Sequence, residues 1–249
     1  MLNQNTLGTF MTKPDTFTGP GLGEGCFGSV TEATIPGFVV KTVENFWFDG
    51  WFPWALYCMA HQGEVGIPNI LALRLDFTKG KLWALMEKLE PVPFDQRPPC
   101  IQTDAEGFKY RVESVFGRLK SMPGHLNSLM AALPDQAFRV DLHHYNYMMR
   151  GKKMLMTDPL ILMNEGGNSW LKESGPKGKL LALQWARQTL DHFNAANDPR
   201  VVVEGSPEDR MAAVRLVIEE DEAEKKRRDD LHKRVTTDLL RKLFSELRK

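Results

Sequence analysis

The sequence predicts an α+β fold in two unequal lobes: a small antiparallel-sheet lobe over residues 21–90 and a helix-rich lobe over 91–205. A loose lead-in (1–20) precedes them and a charged amphipathic helix (206–249) follows. Three observations carry this reading. Short apolar pieces broken by Gly and Pro fill the first ninety residues, Pro91, Pro93, Pro98 and Pro99 crowd one linker, and helical composition dominates beyond it. A length of 249 residues suits one compact body of two lobes better than two independent domains.

Residues 1–20 are polar, contain Pro14, Gly19 and Pro20, and carry no hydrophobic period. From Gly21 to Lys41 the apolar pieces Phe27 to Val30 and Phe38 to Lys41 flank Pro36-Gly37, which reads as an antiparallel hairpin. Trp51 to His61 is apolar and free of Gly, long enough for about three helical turns, and ends at Gly66-Ile67-Pro68-Asn69. Ile70 to Phe77 and Lys81 to Leu89 read as two strands joined at Thr78-Lys79-Gly80.

Beyond the prolines, Glu106 to Lys120 and His125 to Leu133 have helical composition, separated by Met122-Pro123-Gly124. Tyr147 to Arg150 and Lys153 to Met156, split by Gly151, form a small predicted hairpin. Ser206-Pro207-Glu208-Asp209 is a helix-start signal: a hydroxyl cap, proline at the first helical position, and acids beside the positive end of the dipole. Residues 208–249 then hold 11 acids and 12 bases, with Leu231, Val235, Leu239, Leu243 and Leu247 four apart. That seam packs on the C-lobe or forms a partner and dimer surface.

Composition narrows the function classes. Thirty-two basic residues balance 32 acidic ones, so no net field points to nucleic acid. The run Lys225 to Arg228 follows Glu219 to Glu224 and reads as a solvated helix face. Phe46, Trp47, Phe48, Trp51, Phe52 and Trp54 read as packing around a helix, not as a base-stacking surface. Three separated cysteines make neither a disulfide framework nor a zinc site. The start lacks a signal-peptide pattern and no run of about 18 apolar residues occurs, so a reduced, cytoplasmic, membrane-free setting is expected.

Gly23-Glu24-Gly25-Cys26-Phe27-Gly28-Ser29-Val30 fits GxGxxGxV, in which missing side chains let backbone amides close over phosphate oxygens. A dinucleotide loop shares the glycines but should follow an apolar strand and open a helix, whereas Val30-Thr31 continues as strand. Eleven residues after Val30, Lys41 ends an apolar run, where it can aim a localised charge at α- and β-phosphates. Asp141 to Asn146 fits DxxxxN, and Asp158 follows after a hairpin. Asp141 suits orienting an acceptor hydroxyl, while Asn146 and Asp158 supply hard oxygens for magnesium.

Glycine loop, strand lysine, DxxxxN, hairpin and aspartate, in this order, resemble the protein-kinase-like superfamily. Met86-Glu87-Lys88-Leu89 falls where that superfamily has its gatekeeper and hinge, which implies that the Glu87 carbonyl and the Leu89 amide meet adenine. The Gly-Ile-Pro-Asn turn at 66–69, the Asp-x-His-x-x-Asn loop and Thr157-Asp158-Pro159 most resemble the early serine/threonine protein kinases of short-tailed lytic bacteriophages, across roughly residues 20–165.

The resemblance implies a protein-kinase-like fold, ATP and Mg2+ as ligands, and a nucleotide site of Gly23, Gly25, Phe27, Gly28, Val30, Lys41, Met86, Glu87 and Leu89. It further implies catalysis by Asp141, Lys41 and His143, metal ligands Asn146 and Asp158, and host bacterial proteins phosphorylated in the host cytoplasm during takeover.

Departures from the pattern keep other readings open. Arg139-Val140-Asp141 replaces His-Arg-Asp, removing the arginine that reads a phosphorylated activation loop. His143 stands where protein kinases carry lysine, as in aminoglycoside and choline phosphotransferases, and the peptide-docking platform after Pro159 is reduced; both favour a small-molecule phosphotransferase. The helix expected at 51–61 holds no glutamate for Lys41, with Glu44 and Glu64 the nearest candidates, and this favours a pseudokinase that binds a host factor.

Overall fold

The computed structural model describes residues 4–25, 28–93, 122–133, 137–141, 146–162 and 175–246, the side chains of 122, 123 and 231–246 excepted. Glu106 to Lys120, expected as a helix, lie outside the described residues, as do Cys26, Phe27, Cys100 and His143. Within them the fold is α+β: one large sheet, two small strand groups and five α-helices.

The large sheet has the order β1-β2-β3-β5-β4-β11. Strands β1 (Thr18–Glu24), β2 (Gly28–Ala33) and β3 (Phe38–Glu44) run antiparallel through the glycine turn and the Pro36-Gly37 turn, where Gly37 takes φ +83°. β5 (Lys81–Glu87) lies between β3 and β4 (Ile70–Asp76). β11 (Val201–Glu204) pairs parallel to β4 at the edge. This is a correction to the expected boundary, because Val201–Glu204 were assigned to the helix-rich part. Val201, Val202 and Val203 supply a short β-branched run, and its partner lies too far along the chain for local pattern to reveal.

Alternation sorts the sheet into two faces. Val39, Val43, Leu82, Ala84 and Met86 point inward to a core shared with α2 (Trp51–Ala60). Val40, Trp83 and Leu85 point outward, with Ala72. A register irregularity between Ile70 and Ala72 changes the parity of β4, so Ile70, Leu73 and Leu75 all reach the inner core.

The outer face is covered by α1 (Gln4–Thr12), and this corrects the expectation of a loose lead-in. Phe10 is fully buried and meets Phe17 edge-to-face at 5.5 Å, while Asp15 Oδ1 accepts a hydrogen bond from Trp83 Nε1 at 2.8 Å. Leu7, Phe10 and Met11, at i, i+3 and i+4, face the sheet, and Phe10 alone of them is fully buried. Burying a phenylalanine of this size contributes about 2–3 kcal/mol.

α2 is buried from Trp51 to Met59, all the way round. Such a helix belongs inside a body, which accounts for its lack of any charged residue. α3 (Met122–Ala132) begins at Met122, so Met122-Pro123-Gly124 form its first turn, where proline costs no hydrogen bond. α4 (Gly175–His192) packs on α5 (Pro207–Glu246) and on the single-turn 3-10 helix Phe46–Phe48. The expected serine cap closes the start of α5, with Ser206 Oγ accepting from Asp209 N at 3.1 Å. Forty residues make α5 about 60 Å long.

β7 (Phe138–Val140) pairs with β10 (Leu160–Leu162). β8 (Tyr147–Arg150) and β9 (Lys153–Met156) form the expected hairpin at Gly151, where φ is +57°, and β6 (Glu90–Pro91) adds to its edge. No helix among the described residues is long and apolar enough to cross a membrane.

Candidate active site

One row of paired residues crosses the large sheet: Gly23, Val30, Lys41, Ala84 and Leu73. The glycine turn therefore lies in register with the lysine, and Val30 stands beside Lys41 on the inner face. Gly25 N donates to Gly28 O at 2.8 Å and closes the turn. The glycines have different reasons to be glycine. A Cβ on Gly28 would lie 1.9 Å from the Thr42 carbonyl of β3, so the backbone itself requires the missing side chain. A Cβ on Gly23 would meet nothing within 4 Å, leaving open space above that strand.

Lys41 Nζ donates to Asp158 Oδ2 at 3.0 Å, across 117 positions of sequence. The ammonium also lies 4.4 Å from the centroid of Trp51. Glu44 pairs instead with Lys81 at 3.1 Å, and Glu64 with His61 at 2.8 Å, so neither carboxylate proposed from the sequence serves as its partner.

The small strand groups bring Asp141, Asn146 and Asp158 together. Asp141 N donates to Pro159 O at 2.7 Å, at the join of β7 and β10. Thr157 donates to the Asn146 carbonyl through both its amide, at 2.7 Å, and its hydroxyl, at 3.1 Å. Asn146 Nδ2 donates to Asp141 Oδ2 at 3.0 Å and to the Asp141 carbonyl at 3.2 Å, which turns its Oδ1 away from Asp141. Asp141, Asn146, Asp158 and Lys41 thus form one connected cluster.

Asp49, which sequence reasoning missed, extends it. Asp49 Oδ1 accepts from the Trp51 amide at 2.9 Å, two residues on, in a local turn just before α2. Burial, then repulsion from Asp158, raises its pKa to about 7, against the opposing pull of Lys41 and of that hydrogen bond. Asp158 lies deep among neighbouring atoms although 31% of its side-chain surface stays reachable. Burial raises its pKa, Asp141 adds to the rise, and Lys41 opposes it. Among the described residues, Asp158 thus stands between the Lys41 ammonium and the like charges of Asp49 and Asp141, an arrangement that favours further positive charge beside it.

Among the described residues, no three His, Cys, Asp or Glu side chains stand close enough to enclose a metal. Magnesium does not require such an enclosure, since it is commonly held by one or two protein oxygens and completes its shell with water and phosphate. Asn146 Oδ1 and the Asp158 carboxylate are the oxygens of the required kind.

Met86 and Leu89 are buried at the end of β5 and just beyond it. The side chain of Glu87 has a role that the sequence did not reveal. It accepts from Asn69 N at 2.7 Å and from Arg150 Nε at 2.9 Å, while Arg150 also donates to Ile67 O at 2.9 Å. The end of β5, the Gly-Ile-Pro-Asn turn and the β8–β9 hairpin are thereby tied together. Phe27 and His143 lie outside the described residues.

The tryptophan-rich segment is buried, as expected of packing residues. Trp51 does more, because its Nε1 donates to Thr157 O at 3.0 Å, one residue before Asp158. Gly50 sits hard against the same region: a Cβ there would lie 2.2 Å from the Leu160 carbonyl. No protein-family model matches the chain, and no curated protein matches it in sequence.

Proposed function

We propose that this protein is an ATP- and magnesium-dependent phosphotransferase of protein-kinase-like, two-lobed fold, acting as a phage-type serine/threonine kinase on host bacterial proteins. The observation that carries the reading is the convergence of Lys41 with Asp158, Asp141 and Asn146. Lys41 comes from the sheet that holds the glycine turn, and the other three come from the distant β7–β10 region. A set of structural turn-formers has no reason to meet a strand lysine there.

In this reading the amides of the glycine turn and Lys41 hold the phosphate tail of ATP, and the backbone beside Met86, Glu87 and Leu89 receives adenine. Asn146 and Asp158 hold magnesium, which supplies charge neutralisation at the phosphates. Asp141 orients the acceptor hydroxyl and takes its proton. The hydroxyl oxygen bonds to the γ-phosphorus as the bond to the β–γ bridging oxygen breaks, and ADP leaves. Little covalent work falls to the protein; positioning and electrostatics lower the barrier.

The test is transfer from γ-labelled ATP with magnesium, using host lysate as acceptor and Asp158→Asn and Asp141→Ala as controls. Losing a contact made mainly in the transition state costs about 3 kcal/mol, so each variant should label at least about a hundredfold more slowly. Label on small-molecule acceptors but not on protein would move the assignment to a small-molecule phosphotransferase. Intact nucleotide binding with no transfer to any acceptor would refute both enzyme readings in favour of a binding protein.

A further inference from the structure

We propose that Trp51 is the positioning residue for Lys41 and Asp158, one indole doing at the start of α2 what a helix glutamate would otherwise do; this rests on the phosphotransferase reading above. The indole has two working surfaces at a fixed angle. Its face carries the Lys41 ammonium 4.4 Å from the ring centroid, and its edge donates Nε1–H to the Thr157 carbonyl at 3.0 Å. Lys41 itself reaches Asp158, the next residue after Thr157, at 3.0 Å. The contacts close a circuit: Lys41 to Asp158, along one peptide unit to Thr157, through the indole, and back to Lys41.

A closed circuit constrains more than a single ion pair does. A lysine has four side-chain torsions and an exposed pair leaves them loose, whereas a ring buried to 1% exposure has no freedom to follow it. The backbone that carries the ring is fixed in turn. Its amide is held by Asp49 Oδ1 at 2.9 Å, and the neighbouring Gly50 is pressed against the Leu160 carbonyl, where no side chain fits. Thr157 is held too, since its amide and hydroxyl both bond the Asn146 carbonyl. Trp51 therefore links the charge that would grip phosphate to the carboxylate and amide that would hold the metal.

This assignment explains why α2 needs no acid. A carboxylate inside a helix buried on every side would itself lack solvation, whereas an aromatic face attracts a cation at little desolvation cost of its own. The Lys41–Asp158 spacing would then be set before ligand arrives, without a helix movement to bring a glutamate into place.

The two contacts separate by substitution in the full-length chain. Trp51→Phe keeps the ring face and removes the N–H donor; Trp51→Leu removes both. For Trp51→Phe we expect the affinity for ATP with magnesium, measured by titration calorimetry, to stay within about twofold, while turnover of γ-labelled ATP at saturation falls about tenfold. Amide exchange in the segment 155–160 should accelerate without a change elsewhere. Trp51→Leu should in addition weaken ATP about fivefold or more as Lys41 loses its seat.

A merely structural role would lower the melting temperature and leave turnover per folded molecule, ATP affinity and local exchange unmoved, and that result overturns the proposal. Trp51→Phe folds with the smaller loss and keeps the test valid where Trp51→Leu does not fold. Should the wild-type protein bind no ATP, the phosphotransferase reading fails first. Exchange at 155–160 still decides the latch: unchanged in Trp51→Phe, it refutes it; accelerated, it supports it.

Discussion

Replacing Asp49 by asparagine should stabilise the metal-free protein, and by an amount that depends on pH. Asp49 has a folded-state pKa of about 7 against an ordinary 3.8, chiefly because burial penalises its charge. Between those values the folded protein holds a proton that the unfolded chain has released, so stability falls as pH rises through the window and levels off above about 7. The introduced carboxamide would be neutral throughout and still present an oxygen to the Trp51 amide, which now donates to Asp49 Oδ1 at 2.9 Å. The advantage of Asp49→Asn is therefore small near pH 5 and grows to a few kcal/mol, on the order of 1.36 kcal/mol per pH unit through the window, by pH 8. For a chain of this size, where a kcal/mol is about 2–4 °C, the melting temperature should rise by several degrees more at pH 8 than at pH 5. Thermal unfolding in a chelator, at both pH values, measures it. Equal shifts at pH 5 and pH 8, or a destabilised variant at pH 8, would refute the placement of a strained carboxylate beside Asp158.

Other expectations follow from the same geometry. Gly28→Ala should destabilise by about 2 kcal/mol or more, because the added methyl meets the Thr42 carbonyl, whereas Gly23→Ala should leave stability within about 0.5 kcal/mol and weaken ATP binding instead. Denaturant unfolding and nucleotide titration of the two variants separate the roles. Arg150→Met leaves Glu87 without its cationic partner and should cost about 2 kcal/mol, read as a lower urea midpoint; an unchanged midpoint would mean that the contact adds no stability.

Sequence pattern revealed what is local. The turn at Pro36-Gly37, the hairpin at Gly151 and the cap at Ser206 each have their cause within a few residues, and each appears where the pattern put it. What is paired over distance was hidden. β11 finds β4 across more than a hundred residues, and α1 is held through Leu7, Phe10 and Met11 against an outer sheet face whose existence the lead-in cannot announce. The candidate site divides the same way. Asp141, Asn146 and Asp158 could be grouped from their spacing, yet the partner of Lys41 is one of those residues and not a nearby glutamate. Trp51 was read as packing, which it is, but an indole edge aimed at Thr157 is visible only once β9 and α2 are set side by side. Asp49 carried no signal beyond a common acid before a helix; only its neighbours make it unusual.

The central claim is most directly tested by a crystal structure of the protein with a non-hydrolysable ATP analogue and manganese, located by its anomalous signal. The triphosphate should lie beneath the Gly23–Gly28 turn, with Lys41 Nζ within hydrogen-bond distance of an α- or β-phosphate oxygen and manganese bound to Asn146 and Asp158. Nucleotide bound elsewhere, or bound there with Lys41 out of reach and the metal on other residues, would contradict that claim.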